Sequence, residues 1–431
     1  MKRILNVPRT TFILVLFWLF TVPTSVFSWN WGFDTQDVSA VTHSGATDWN
    51  ALQFNQVLLH ASTPLGPQAS FQAVLGTSLL STEHNPYLPP TLPDPYITGD
   101  VLQFSFQGVI PLPQAGVIDW FAGRRLKQDL TGKILNSRLD GVGLGWYTGR
   151  QHFSLQGYYT GLVGIPNSQI TMSSQDYLNE MIYYTFGNPF LFQPTSQRLI
   201  GLLDYSVSQI FLHQNFSAEL LGQYDLGGAG TLHTTYLTLE LTGPVDRLTY
   251  RFYVTGSALI GPLSTSLSAL AGFHASWQFP SQWQLFTDGI YTTRLTPGAG
   301  DGFLPITLSG PSDVLTSLTL WNIAKVSLGI SSQPLTHMSC GVKLGALFQT
   351  TEQNQNSSSA VSDAIYQPYV PYLNAAYMQP YLGSEASLFG SWNPTSEWSF
   401  ATNLAGFLPY SLAFTDSHWE WLAALSVNLK I

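Results

Sequence analysis

Between Leu199 and Leu259 the chain alternates apolar and polar residues with a period of two, in consecutive runs joined by turns. Leu237, Leu239 and Leu241 alternate with Thr238, Glu240 and Thr242, and Gly243-Pro244-Val245-Asp246 then marks a turn. After the turn, Leu248, Tyr250, Phe252 and Val254 alternate with Thr249, Arg251, Tyr253 and Thr255. The preceding pair of runs repeats the pattern: Leu199, Leu203 and Tyr205 against Asp204 and Ser206, then Phe216, Ala218 and Leu220 against Ser217 and Glu219. Successive side chains of a β-strand point to opposite faces, so each pair of runs predicts a hairpin with one apolar and one polar face. One such hairpin fits a soluble sandwich. A whole chain of them needs a fold with two extended surfaces of opposite polarity, which a transmembrane barrel supplies.

Eighteen segments carry this pattern. They lie near 29–39, 48–61, 69–81, 100–110, 114–126, 139–150, 151–163, 197–212, 215–227, 231–243, 247–260, 265–279, 282–294, 317–332, 337–350, 380–393, 396–408 and 418–431. Tight turns at Pro111–Pro113, Gly149–His152, His213–Gln214, Gly243–Asp246, Pro280–Ser281, Pro334–Thr336 and Asn393–Thr395 all leave even-numbered segments. Long connections at 82–99, 127–138, 164–196, 295–316 and 351–379 all leave odd-numbered ones. Short turns on one rim and long loops on the other are the habit of outer-membrane barrels. The predicted fold is therefore an all-β, antiparallel up-and-down transmembrane barrel of about 18 strands. Asp34, Gln36 and Asp37 interrupt the first segment, which leaves 16 strands as the alternative.

The N-terminus predicts export. Lys2, Arg3 and Arg9 precede an apolar core, Thr11–Val22, and Val26-Phe27-Ser28 offers a cleavage point. This reads as a signal peptide over 1–28, with a single barrel domain over 29–431. Charged residues are only 10% of the chain and aromatic residues 14%. Ordinary soluble domains carry roughly 25% charge, whereas a barrel turns its largest surface to lipid. A net charge of −9 argues against nucleic-acid binding. The single cysteine, Cys340, excludes an internal disulfide framework and falls on the apolar face. Trp146, Trp277, Trp283, Trp392 and Trp398 fall at segment ends, where an interfacial girdle belongs. The last segment places Trp419, Trp421, Ala423, Leu425, Val427, Leu429 and Ile431 on one face. It resembles the C-terminal signature that barrel assembly machinery recognises, with Ile431 where that signature usually ends in an aromatic.

Gly123-Arg124-Arg125, then Ile134 to Gly141 (ILNSRLDG) and Gly149-Arg150, resemble a segment of alginate-export and related carbohydrate-porin barrels, over roughly 30 residues. The resemblance implies Arg125, Arg138, Asp140 and Arg150 as pore or rim residues. The general pattern is also similar to spirochaetal outer-membrane barrels.

The alternation turns Arg125, Asp204, Glu219, Asp225, Glu240, Arg251, Tyr253, Lys343 and Glu385 towards the lumen as pore-lining residues. The wall they belong to holds more acids than bases, which predicts a mild cation bias. In the connection 164–196, Ser173-Ser174-Gln175-Asp176 resembles a helix start. Tyr177, Leu178, Met181 and Ile182 follow as an apolar stripe, and Gly187-Asn188-Pro189 ends it. This stripe is either an external helix or a constriction folded into the mouth.

Metal-binding spacings and a G-x-S-x-G nucleophile turn are absent. His274-Ala275-Ser276 has the spacing of outer-membrane phospholipases, yet the alternation turns both polar side chains inward, with Asp288 in reach on the next strand. No catalytic residue, metal or cofactor is predicted. The expected partners are outer-membrane lipid, the assembly machinery and small polar solutes. The expected function is a porin-like outer-membrane channel for passive diffusion of those solutes. The alternatives are a surface-exposed adhesin acting through its long loops, and a fatty-acid-type transporter of hydrophobic substrates.

Overall fold

In the computed structural model, the period-two runs become antiparallel strands that each pair with their sequence neighbours. The structure describes residues 29–44, 48–82, 96–162, 170–171, 196–211, 213–227, 232–260, 265–294, 303–307, 323–350, 381–410 and 420–431. The proposed signal peptide, and Tyr177, Leu178, Met181 and Ile182, lie outside these residues.

Eighteen strands are found among the described residues. They are β1 (Asn30–Ser44), β2 (Asp48–Pro64), β3 (Ala69–Thr82), β4 (Tyr96–Leu112), β5 (Gly116–Gln128), β6 (Asn136–Thr148), β7 (Gln151–Tyr159), β8 (Arg198–Val207) and β9 (Asn215–Asp225). They continue as β10 (His233–Val245), β11 (Leu248–Ile260), β12 (Thr265–Gln278), β13 (Trp283–Arg294), β14 (Ile323–Leu335), β15 (Met338–Gln349), β16 (Tyr381–Trp392), β17 (Trp398–Pro409) and β18 (Glu420–Lys430). β1 pairs with β18 from Asp34↔Lys430 to His43↔Trp421, so the sheet closes on itself. Closure leaves no edge strand with unpaired backbone groups, which is what allows a sheet to sit in lipid. The final residue joins the seam: Phe33 and Ile431 exchange both backbone hydrogen bonds at 2.8 Å. β1, despite its polar interruptions, is a full member, and the count is 18 rather than 16.

The even-numbered strands end in tight turns, which define one rim. Left-handed backbone is frequent there, at Gly66, Gln114, Gly149, Asp246, Gln282 and His337. Gly116 shows why the turn residues matter. At φ +104° its α-carbon lies so close to the Tyr147 carbonyl that a β-carbon would collide with it. The turn expected at Gly243–Asp246 is tighter than that span, because Gly243 and Pro244 extend β10 and only Asp246 and Arg247 turn.

Register explains another group of glycines. Phe121 stands directly opposite Gly143, Tyr253 opposite Gly272, Phe273 opposite Gly289, Phe286 opposite Gly329 and Phe389 opposite Gly341. In each pair the ring lies where the glycine's β-carbon would stand. The aromatic thus covers the backbone that glycine leaves bare.

The two faces differ as the alternation requires. Leu237, Leu239, Phe252, Val254, Leu328 and Leu344 point outward and are exposed. Trp31, Trp146, Trp277, Trp283, Trp392 and Trp398 are exposed on the same face, all at strand ends beside the tight-turn rim. Indoles gathered at one level of an apolar wall suit the headgroup boundary of a bilayer.

The inward face is not uniform along the barrel axis. In its half near the tight turns, the Arg251 and His274 side chains are 36% and 45% exposed. Towards the other rim, Tyr236, Thr238, Thr255, Ser257, Ser268 and Leu270 are buried. The cause is chain folded into the lumen.

Candidate functional site: the plugged half of the lumen

Three pieces of connecting chain meet inside the barrel: 129–135 between β5 and β6, 170–171 after β7, and 303–307 after β13. Asp129 holds the first. Its Oδ1 accepts the backbone N–H groups of Ile134 at 3.0 Å and Leu135 at 2.8 Å. Its Oδ2 accepts the Thr131 backbone N–H at 2.8 Å and the Thr131 hydroxyl at 2.5 Å. A carboxylate is suited to this because it offers about four lone-pair sites and needs no donor. The wall then grips the turn. The Leu130 N–H donates to Glu219 at 3.1 Å, and the Arg251 guanidinium donates to the Leu130 carbonyl.

The pieces are tied to one another. The Thr307 N–H donates to the Ile134 carbonyl at 3.0 Å, and the Asn136 N–H to the Thr307 hydroxyl at 2.8 Å. The Thr171 N–H donates to the Ile306 carbonyl at 2.8 Å, and the Tyr236 hydroxyl to the Leu304 carbonyl at 2.5 Å. Ile134, Leu135, Ile170, Phe303 and Ile306 are 0–2% exposed and pack on wall residues such as Leu139, Ile200, Leu221 and Leu270. The lumen therefore contains a small apolar core of its own, which burial of apolar surface holds in place.

Charge surrounds this core in pairs. Lys325 and Glu385 meet at 2.6 Å and are nearly excluded from solvent. Arg251 Nε donates to Glu240 at 2.6 Å, and Lys343 lies 3.6 Å from Asp288. Asp204 accepts from Ser154 at 2.8 Å and Gln156 at 3.1 Å, with Lys127 at 3.7 Å. Arg125 lies over the Phe121 ring, its Cζ 3.3 Å from the centroid, and reaches Gln156 at 3.3 Å. Three pairs in the tight-turn half join an acid to a histidine: His60–Asp34 at 2.8 Å, His152–Asp119 at 4.0 Å and His274–Asp288 at 2.6 Å.

All nine residues expected to line a pore face inward, and the structure sorts them by depth. Arg125, Asp204, Glu240, Arg251, Tyr253 and Lys343 are partly exposed, whereas Glu219, Asp225 and Glu385 are buried. Among the residues implied by the resemblance, Arg150 sits in a tight turn and donates to the Gln209 carbonyl at 3.2 Å. Asp140 pairs with Arg124, at 2.8 Å and 3.0 Å, and Arg124 also donates to Asp100 at 3.1 Å. Ser276 bonds Thr249 at 2.6 Å, so His274 and Ser276 form no Ser–His pair.

Three residues escaped the sequence reading. Arg198 is fully buried beside Gln223 and Asp225, yet it shares the parity of Asp204 and was legible from it. Arg124 has outward parity in β5 and is nevertheless buried, held by Asp100 and Asp140. Asp129 lies in a connection with no period to read. The only signal there was the apolar pairs that an external loop does not need: Ile134-Leu135 and Phe303-Leu304.

No family model matches the chain, and no curated protein does. Solved structures do. The Pseudomonas aeruginosa protein OccD3 (OpdP) aligns with a TM-score of 0.61 at 8% identity, covering 94% of this chain and 91% of that one. P. aeruginosa OccK5 (OpdH) aligns with a TM-score of 0.59 at 10% identity, covering 94% and 98%. The outer membrane protein opdK of the same species aligns at 0.58 and 10% identity, covering 93% and 98%. What is shared is the fold. At these identities the likeness covers the whole barrel and carries no individual residue with it. The likeness is to these barrels, and the resemblance to alginate-export and spirochaetal barrels gains no support from it.

Proposed function

We propose that this chain is an outer-membrane channel through which small polar solutes diffuse passively, along a lumen narrowed by its own inward-folded chain. The carrying observation is the inversion of polarity across one closed wall: exposed Leu, Val, Phe and Trp outside, hydrogen-bonded and ion-paired side chains inside. A surface of that kind suits lipid on one side and water on the other. The similar fold of an outer membrane protein favours the same membrane. The final strand, β18, is then the segment offered to the barrel assembly machinery.

The nine inward residues named from the sequence act at two levels in this channel. Arg125, Asp204, Glu240, Arg251, Tyr253 and Lys343 line the water path, while Glu219, Asp225 and Glu385 brace the wall behind the plug. A mild cation preference follows from the tight-turn half, where Asp34 and Asp119 are joined to histidines and not to lysine or arginine. Acids along a wet pore wall favour the passage of cations. The apolar cluster inside the lumen is the one observation that favours a hydrophobic-substrate transporter. Its described members are only 0–2% exposed, however, so protein and not substrate covers them.

Swelling of liposomes that contain the folded protein tests the proposal. A pentose should enter quickly and a tetrasaccharide slowly or not at all. Vesicles that stay shut to the pentose, with the barrel folded by gel shift, would overturn it.

A further inference from the structure

Among the described residues, the outward face carries a polar cluster where lipid offers nothing to bond. β1 and β2 pair as Asp37↔Asn55 and Ser39↔Gln53, and β1 and β18 as Asp37↔Val427 and Ser39↔Leu425. Leu425 is exposed on the apolar wall, so Asp37, Ser39, Gln53 and Asn55 share that outward face. They bond one another. The Gln53 amide donates to both Asp37 carboxylate oxygens at 3.1 and 3.0 Å, and the Ser39 hydroxyl donates to Gln53 Oε1 at 2.7 Å.

Depth makes the cluster unusual. Asp37 lies six residues along β1 from Trp31, which stands at the level of the indole girdle. At ~3.3 Å per residue and a tilt of ~40°, that is roughly 15 Å above the girdle, near the middle of an apolar band about 25 Å tall. At comparable depth, β10, β11, β14 and β15 present Leu239, Val254, Leu328 and Leu344. A second charged group on outward-parity positions, Arg124 with Asp140, is closed by ion pairing and by the Leu162 carbonyl. The Asp37 cluster makes no ion pair with any described cation.

We propose that this cluster is the centre of a contact with a second copy of the chain, patch against patch, about a two-fold axis along the membrane normal. Amides and hydroxyls carry a donor and an acceptor on the same group, so Gln53, Asn55 and Ser39 are complementary to themselves. Asp37 meets two N–H bonds within its own copy, which lowers the cost of facing its equivalent. Strands tilted by ~40° cross at roughly 80° about such an axis, so any one strand meets its counterpart over only a short stretch. A compact polar spot flanked by exposed Val41, Leu425 and Val57 fits that short stretch. The inference rests on the outward face meeting lipid and holds whether or not the lumen conducts.

Disulfide trapping in membranes tests it. In the full chain with Cys340→Ser, Ser39→Cys should yield a covalent dimer on mild oxidation, at least tenfold more than Leu237→Cys on the opposite wall. The double variant Asp37→Leu, Gln53→Leu should remain folded by gel shift, and adding it to Ser39→Cys should abolish the dimer. Cross-linking of Ser39→Cys no greater than the control, adducts with other proteins only, or a dimer that persists in the leucine variant would each overturn the proposal.

Discussion

Asp129→Ala isolates what holds the plug. The substitution removes the acceptor of three backbone N–H groups, at residues 131, 134 and 135, and of one hydroxyl. At a net ~1 kcal/mol per hydrogen bond, the turn loses about 3–4 kcal/mol of local stability. Each 1.4 kcal/mol is tenfold, so the opening equilibrium of 129–135 should rise by two to three decades, ~100–1,000-fold. Hydrogen exchange at the Ile134 and Leu135 amides should accelerate by that factor, while amides of β10 and β11 stay protected. Single-channel conductance should rise, because Ile134 and Leu135 leave the lumen. Asp129→Asn gives a graded control. Its carbonyl oxygen keeps the bonds from residues 134 and 135, whereas its NH₂ cannot accept from Thr131, so about half the effect is expected. If Asp129→Ala leaves both the exchange rates and the conductance unchanged, Asp129 does not hold the plug and the reasoning fails.

Three further outcomes are expected. Leu239→Arg, exposed in the middle of the apolar wall, should destabilise the barrel in vesicles by about 2–4 kcal/mol in denaturant titration. Thr238→Val, its inward neighbour, should cost about 1 kcal/mol for the lost hydrogen bond to Thr255. Lys325→Met strands Glu385 without its partner in a buried site and should cost about 3–5 kcal/mol. Lys325→Met with Glu385→Leu should recover most of that, as measured in the same titration. Epitope tags within 82–99, 164–196 or 351–379 should be accessible on intact cells, and tags at Gly243–Asp246 or Pro334–Thr336 should not; the reverse result would invert the orientation.

The barrel was legible because a strand writes its two faces into alternate residues. Leu237 to Thr255 gave faces, hairpin and neighbours together, and the even-odd rule for turn lengths gave the rims. β1 was hard to read because it breaks the alternation: Asp34 and Gln36 face inward, and Asp37 faces outward with Ser39. What stayed illegible has one physical cause. The segments 129–135 and 303–307 are irregular, so no period says whether they turn to solvent or into the lumen. Their position is decided by contacts across the whole barrel, such as Tyr236 with Leu304 and Glu219 with Leu130. The same contacts bury Thr238, which strand parity alone turns towards water.

The central claim is that a water path runs between this polar wall and its plug. The most direct measurement is current through the full-length protein in a planar bilayer under a salt gradient. The account predicts discrete single-channel steps, a reversal potential of modest cation preference, and larger steps for Asp129→Ala. A folded, inserted barrel that passes no current in either form would contradict it.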